Sequence, residues 1–553
     1  MQFQTKILLL SLIVSVILTA CTSEKSYTLT GVYAITADGF DASLKVLAGD
    51  DFLGRGPFTE GETKTVNYLA ETFRNLGLEP GNGNSYFQDV PMVKITSTVP
   101  NEITLSNNEN SLKLTYRKDF VAFSQWLQPE ILLESSELVF AGYGIVAPEY
   151  GWNDYKGLEL TGKTVMVLVN DPGFTSGNSE LFKGEAMTYY GRWTYKYEEA
   201  ARQGAAGVLV IHDTKPAGYP WEVVKNSWSG TGLYLKSNDG NQSRCKLEGW
   251  ITKSKAEEIF DLSNTDFTGY FENAGRKEFK SMPTGIALSM SITNDWHEDV
   301  SKNVIAMAPG STNSDEYIIY SAHWDHFGVG IPDAEGDSIY NGASDNATGT
   351  AALIELAKAF TSLETQQKRS ILFLAVTAEE QGLLGSAWYV QNPIYLPEKT
   401  VANINIDALS YYGALNDLTI IGYGQSELDD YAEAAAKQQD RYIVPDQNAG
   451  KGYFFRSDHF NFAKVGIPAL YASGSYDLRE GGIEKMKEMN EDYEMNHYHL
   501  PADEYDPATW NLDGIVEDTQ LLFEIGLKLS NNGDWPKWKE GSEFKAIREP
   551  EMQ

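Results

Sequence analysis

The residues able to do chemistry cluster in the second half of the chain. Ser321-Ala-His-Trp-Asp-His326 carries His323, Asp325 and His326, and Asn341-Gly-Ala-Ser-Asp-Asn-Ala-Thr-Gly349 carries Asp345 on a glycine-rich approach to a helix. Ala378-Glu-Glu380 brings two adjacent acids, Asn405-Ile-Asp407 a third, and Tyr498-His499 a late histidine. A hydrolytic zinc centre needs nitrogen and oxygen ligands and one position left for water. Two such ions can share a carboxylate, lying about 3.5–4 Å apart. His323, Asp345, Glu380, Asp407 and His499 form a complete set of that kind. Singly, each has a plainer explanation: a core histidine, a helix cap at Asp345, a turn acceptor at Asp407, a surface histidine at 499. Most of them follow apolar strand-like runs, and that shared placement favours a site.

Two further acids have assignable roles. Asp325 stands two residues after His323, so an extended backbone puts both on one side. A carboxylate there accepts the other ring N–H and fixes the tautomer of a ligand histidine. His326 is a rival ligand and ranks below His323, whose spacing to Asp325 is better. Glu379 and Glu380 would point to opposite faces of a strand, so the backbone has to turn for both to enter the site. Gly382 and Gly385 make that turn accessible. One acid then binds metal while the other takes a proton from the bound water.

The elements that position these residues are strands and helices in alternation. Tyr317–Ser321, Ile371–Val376, Val401–Ile406 and Ile467–Ala472 are predicted strands; Glu62–Leu76, Thr348–Phe360 and Gly514–Leu529 are predicted helices with one apolar face. The fold class is α/β, with a mostly parallel central sheet and helices on both faces. In such sheets sites form beyond the carboxyl ends of strands, where His323, Glu379, Glu380 and Asp407 stand. A chain of 553 residues exceeds one core. A second block, Glu137–Ile292, has its own strands at Gly162–Val169 and Gly207–Ile211 and a helix at Tyr195–Gln203. It resembles a protease-associated domain through Phe140-Ala-Gly-Tyr-Gly144, Leu160-Thr-Gly-Lys163 and Ala200-Ala-Arg-Gln-Gly-Ala-Ala-Gly207.

A formal charge of −33 argues against nucleic acid as a partner. Lys6, the apolar run Ile7–Leu18 and Leu18-Thr-Ala-Cys21 resemble a bacterial lipoprotein signal, with Cys21 as the lipidated residue. That implies a cell-envelope location and a lipid anchor in the membrane. Cys245 would then be the remaining cysteine, a packing residue rather than a nucleophile.

Taken together, Leu47-Ala48, Gly54-Arg55, Ser301-Lys-Asn-Val304, Ser321–His326, Tyr340–Gly349, Ala378-Glu-Glu-Gln-Gly-Leu-Leu-Gly-Ser386, Asn405–Asp407, Arg456-Ser-Asp-His459, Gly466-Ile-Pro468 and Tyr498-His-Leu-Pro-Ala-Asp503 resemble the two-zinc aminopeptidase family. That family also contains bacterial leucyl aminopeptidases, glutamate carboxypeptidase and, as a zinc relative, glutaminyl cyclase. The resemblance implies a zinc-exopeptidase fold, two Zn2+ per chain with other divalent ions able to substitute, and peptide substrates. It implies that Asp345 bridges the ions, that His323 and Asp407 complete one site and Glu380 and His499 the other, and that Glu379 is the general base with Asp325 behind His323. Some members carry an oxyanion-holding tyrosine where this chain has Phe454; Tyr453, next to it, is the candidate here. The implied organisation is a signal peptide (1–20), a tether (21–30), the first part of the catalytic domain (31–136), the protease-associated insert (137–292), the catalytic domain proper (293–531) and a tail (532–553). The favoured activity is an aminopeptidase. The alternatives are a glutamate-type carboxypeptidase, a glutaminyl cyclase-like transferase and a binding protein without catalysis.

Overall fold

The computed structural model describes residues 30–107 and 109–551. The expected signal peptide, Cys21 and nearly all of the tether lie outside the described residues. The chain forms two compact units: 30–90, 301–446 and 457–551 make the first, and 91–300 with 447–456 the second.

In the first unit a sheet is built from β1 (Glu79–Pro80), β2 (the 304–308 end of the strand Met282–Ala308), β3 (Asn313–His323), β4 (Arg369–Val376), β5 (Thr400–Asn405), β6 (Asp417–Ile420), β7 (Tyr442–Pro445) and β8 (Ala469–Ser473). Its order is β1-β2-β4-β3-β5-β8-β6-β7. The central four, β4, β3, β5 and β8, are parallel. β4 and β5 are buried along their whole length, which requires cover on both faces.

Alternation along the strands divides that cover. Ile318, Tyr320 and Ala322 of β3 join Ile371, Phe373 and Ala375 of β4 in one core. Onto them pack Phe40 and Leu44 of α1 (Ala37–Leu47), Leu69 and Phe73 of α2 (Glu60–Asn75), Leu353 and Phe360 of α3 (Thr348–Thr361), and Leu522 and Phe523 of the closing helix Asp513–Asn532. Ile319, Leu372, Leu374 and Val376 turn the other way, against Tyr389 of α4 (Leu384–Gln391) and Phe462 of the short helix His459–Lys464. The predicted strands and helices of this unit are all present with ends shifted by a few residues. The helix Gly482–Asn496 carried no signal, because Met486 is its one buried residue and it has no apolar stripe.

The second unit has its own sheet. Glu130–Phe140, Thr164–Leu168, Gly207–His212 and Leu247–Thr252 run parallel in that order. Phe120–Phe123 pairs antiparallel with the last of them. On the other side, residues 282–293 pair antiparallel with Glu130–Phe140. The hairpin Glu102–Ser106 and Ser111–Thr115 extends the sheet from there through Ala287 and Leu288. The expected start of this block at Glu137 falls inside a strand; the unit begins at Pro91, because strands from before Glu137 complete its sheet. Cys245 is buried here as a free thiol. Among the described residues no helix is long and apolar enough to cross a membrane.

Phe373 is fully buried, with Tyr320 stacked on it at 6.0 Å and Phe73 and Phe360 at 6.2 and 6.1 Å between ring centroids. Phe373→Ala is expected to cost about 3–5 kcal/mol of first-unit stability, read as a lowered denaturation midpoint.

Candidate metal centre

Strand register brings the candidate ligands to one edge. His323, the last residue of β3, lies beside Val376, the last of β4, and Ser321 lies beside Asn405, the last of β5. Glu379 and Glu380 follow Val376 by a turn, and Asp407 stands two residues beyond Asn405. His323 Nε2 is 3.2 Å from Asp345 Oδ1 and 3.2 Å from Asp407 Oδ1. His499 Nε2 is 3.4 Å from Asp345 Oδ2 and 3.2 Å from Glu380 Oε2. The five residues therefore form two sets of three donor atoms, and Asp345 gives one oxygen to each.

Backbone geometry delivers these atoms, and buried polar groups hold it. Asp345 sits on the turn after Gly342, whose φ of +54° is a left-handed conformation. Asp503 clamps that turn, accepting the Ser344 N–H at 3.0 Å and the Asp345 N–H at 3.1 Å with its two oxygens. Arg55 donates to the carbonyls of Leu47, Trp324, Asn341 and Gly342 and so ties the β3 exit to the same turn. Asn346 accepts from Gly349 and Ala408 and donates to Ile406, joining the Asp345 turn to the Asp407 segment. The expected bend at Glu379–Glu380 is present: Ala378 has φ +52°, and Gly382 N–H closes on the Glu379 carbonyl at 2.8 Å. His499 lies flat on Tyr498, centroids 3.8 Å apart, with the edge of Phe327 at 4.7 Å.

The charges fit a cation. Burial opposes the His323 imidazolium, yet the Asp407 and Glu379 carboxylates hold its pKa well above the usual imidazole range. Burial likewise opposes the His499 imidazolium, and Asp345 and Glu380 overcome it, raising that pKa to about 9. His323 and His499 override burial to hold Asp345 below the normal carboxylate range, and His326 with His499 does the same for Glu380 against burial and the Asp345 charge. Glu379 goes the opposite way: burial, reinforced by Asp407 and Glu380 against the pull of His323, holds its carboxyl well above that range. Four carboxylates thus meet three imidazoles, His323, His326 and His499, in a small, mostly dry volume. Hard and borderline divalent ions, zinc above all, match such a mixed nitrogen and oxygen donor set.

Other expected residues fall differently. The Asp325 carboxylate does not make the close contact to His323 that the two-residue spacing predicts. His323 Nδ1 meets the Asp325 carbonyl at 3.1 Å, while Asp325 Oδ1 is 3.8 Å away and accepts the Glu379 N–H at 3.0 Å. The extended strand stops at His323, so alternation no longer governs Asp325, and its carboxylate holds the glutamate turn instead. His326 Nδ1 lies 2.6 Å from Glu380 Oε1; His326, Asp345 and Glu380 also offer ligand atoms within 4.8 Å of one another. Asp458 is buried and accepts from Ser386, and His459 packs against Tyr471, which fits structural roles. Tyr453 lies on the 447–456 segment of the second unit. Sequence reasoning gave no role to Arg55, Asn346, Ser457 or Asp503, although Gly54-Arg55 and Pro501-Ala-Asp503 stood within the quoted motifs.

Residues 303–523 match the model of peptidase family M28. The M28 segment contains all five ligand-type residues. Aminopeptidase NAALADL1 of Mus musculus is 30% identical over 163 residues, 27% of this chain and 20% of that protein. Glutamate carboxypeptidase 2 homolog of Caenorhabditis elegans is 32% identical over 484 residues, 75% of this chain and 57% of that protein. The chain thus spans about a fifth of the first relative and less than two thirds of the second. Among solved structures, an aminopeptidase from Aneurinibacillus sp. strain AM-1 is 18% identical with a TM-score of 0.47, over 92% of this chain and 97% of that one.

Asp503→Ala leaves the Ser344 and Asp345 N–H groups without their carboxylate. A cost of about 1–3 kcal/mol for each buried donor is expected, together with weakened zinc binding, read by melting and by titration of chelator-treated protein. Asp503→Asn, which keeps one acceptor oxygen, is expected to fall between.

Proposed function

We propose that this chain is a zinc-dependent aminopeptidase of family M28 that hydrolyses the N-terminal peptide bond of peptides with two metal ions. The observation that carries the reading is the pair of three-donor sets joined through Asp345, with Glu379 beside them. Bound divalent cations supply a water that ionises near neutral pH and a polarised substrate carbonyl. His323, Asp407 and one oxygen of Asp345 would hold one ion; Glu380, His499 and the other oxygen of Asp345 would hold the second. Glu379 accepts the proton of the attacking water and returns it to the leaving amine. Its raised proton affinity suits a base working near neutrality, and Asp325, through the Glu379 N–H, fixes the backbone that carries it.

The polarity of the substrate follows from charge. The surplus of carboxylates over imidazoles suits a cationic α-amine. A C-terminal carboxylate would want a free guanidinium fork, and Arg55 commits its fork to four backbone carbonyls. The similarity to the nematode protein named a glutamate carboxypeptidase homolog supports the second reading, cleavage from the C-terminus. The protease-associated reading of residues 91–300 and the lipid anchor at Cys21 belong to the same proposal. The anchor is tested by radiolabelled fatty-acid incorporation into the parent and the Cys21→Ala protein.

Three measurements check the activity. Peptides with a free amine are expected to be cut and N-blocked ones spared; equal cleavage of both would remove the aminopeptidase reading. A chelator is expected to abolish turnover and to lower the melting temperature, with zinc at a hundredfold its Kd restoring about 2.7 kcal/mol. Glu379→Gln should keep the metal and the fold and lower kcat by about 10²–10⁴.

A further inference from the structure

The carboxylates of the centre are partitioned oxygen by oxygen. Asp407 turns Oδ1 to His323, and its Oδ2 accepts the Ser457 hydroxyl at 2.5 Å. Asp345 leaves both oxygens to the centre, one towards each histidine. Glu380 repeats the Asp407 pattern on the other side: Oε2 faces His499 at 3.2 Å, and Oε1 is taken by His326 Nδ1 at 2.6 Å. A carboxylate only accepts, so Nδ1 must carry the proton of that bond. His326 therefore stands to Glu380 as Ser457 stands to Asp407.

Both donors are fixed from behind. The Ser457 hydroxyl accepts from Asn405, whose carbonyl oxygen accepts from Ser321, a chain of buried side chains beneath the sheet edge. His326 is fully buried. The Phe327 ring meets it edge-on at 4.8 Å, and its backbone N–H reaches the Arg55 carbonyl. A Cβ at residue 342 would come within 2.4 Å of the imidazole, so the ring fills the space that Gly342 leaves. Besides its bond to Glu380, the ring is thus held by packing and by its residue's backbone N–H.

We propose that His326 is a positioning residue that caps Oε1 of Glu380, so that this glutamate presents a single oxygen to the ion shared with Asp345 and His499. The inference rests on the two-ion reading above and adds who sets the geometry of the second set. With Oε1 capped, Glu380 cannot swing to grip an ion with both oxygens. That keeps the donor number low, as a zinc site with a position open for water requires. Capping donors of this kind typically govern metal affinity by about 10–100-fold.

The test uses two substitutions of similar size on the full chain. The side-chain amide of His326→Asn places a donor where Nδ1 is; that of His326→Gln places it where Nε2 is. Chelator-treated parent and variants are titrated with Zn2+ alone by calorimetry, with melting curves to confirm folding. The parent is expected to bind two ions. His326→Gln should weaken one of them by about 10–100-fold and leave the other unchanged, while His326→Asn stays close to the parent. Combining His326→Gln with Glu380→Gln should add no further loss, because the histidine acts through the glutamate. A His326→Gln protein that binds both ions like the parent overturns the proposal. Complete loss of one ion from both the Asn and the Gln protein also overturns it, because His326 would then be a ligand itself. Ser457→Ala reports on the other set: if it weakens an ion while His326→Gln does not, this inference falls and the two-ion reading stands. A parent that binds fewer than two ions ends both.

Discussion

Everything in the first unit answers to one electrostatic constraint. Asp345, Glu379, Glu380 and Asp407 are gathered at a sheet edge where water cannot screen them well. Like charges that close repel by several kcal/mol at the effective dielectric of a protein interior, so the cluster is tolerable only with positive charge among it. In the protein alone, His323 and His499 fill that role, and their imidazoles are driven towards the protonated form for this reason. A divalent cation would do the same with more charge in less space, and would displace those protons on binding. A bound metal would therefore relieve a repulsion that the fold itself creates.

Holding the acids in place has a backbone cost. The left-handed region is visited at Ala378 just before Glu379, at Ala408 just after Asp407, at His499 itself and at Gly342 three residues before Asp345. For a side-chain-bearing residue each such conformation costs on the order of 1 kcal/mol or more. They persist because neighbouring groups over-determine them. Asn346 holds the Ala408 N–H, Asp325 holds the Glu379 N–H, and Asp503 with Arg55 holds the turn after Gly342. The three strand exits are in this way stitched to one another by buried side chains. A rigid parallel sheet supplies the common edge, and this polar stitching turns the edge into a defined constellation.

This division explains what could be read from the sequence. The apolar runs that end at His323, Val376 and Asn405 are local signals, so the sheet edge and the metal-type residues on it were legible. The supporting groups were not, because their partners are remote: Arg55 bonds Trp324 and Gly342, and Asn341 reaches back to Ala48. Asp325 shows the limit of a periodicity rule. The two-residue alternation holds only while the strand lasts, and β3 ends at His323. Where the second unit begins was hidden for a related reason. Strands at Glu102–Ser106 and Ser111–Thr115 look like any others in sequence, and only the pairing of the first with residues 287 and 288, and of the second with the first, assigns them. His326 was legible as a histidine of the right kind in the right motif, but whether it faces an ion or a carboxylate oxygen is a matter of ångströms.

The large net charge is a separate matter from the centre's charge. Most of the 77 acidic residues are solvated, and at physiological ionic strength their fields fade within about 8 Å. They favour solubility and cannot select a cation at one edge of one sheet. Selection comes from the few acids kept away from water, each with its oxygens allotted: two of Asp345 to the centre, one each of Asp407 and Glu380, the remaining two capped by Ser457 and His326. With seven histidines in the whole chain, placing His323, His326 and His499 within this one cluster is what distinguishes a metal centre from an acidic surface. The acids supply attraction for any cation, and the nitrogens that His323 and His499 turn to Asp345 bias that attraction towards ions that accept nitrogen.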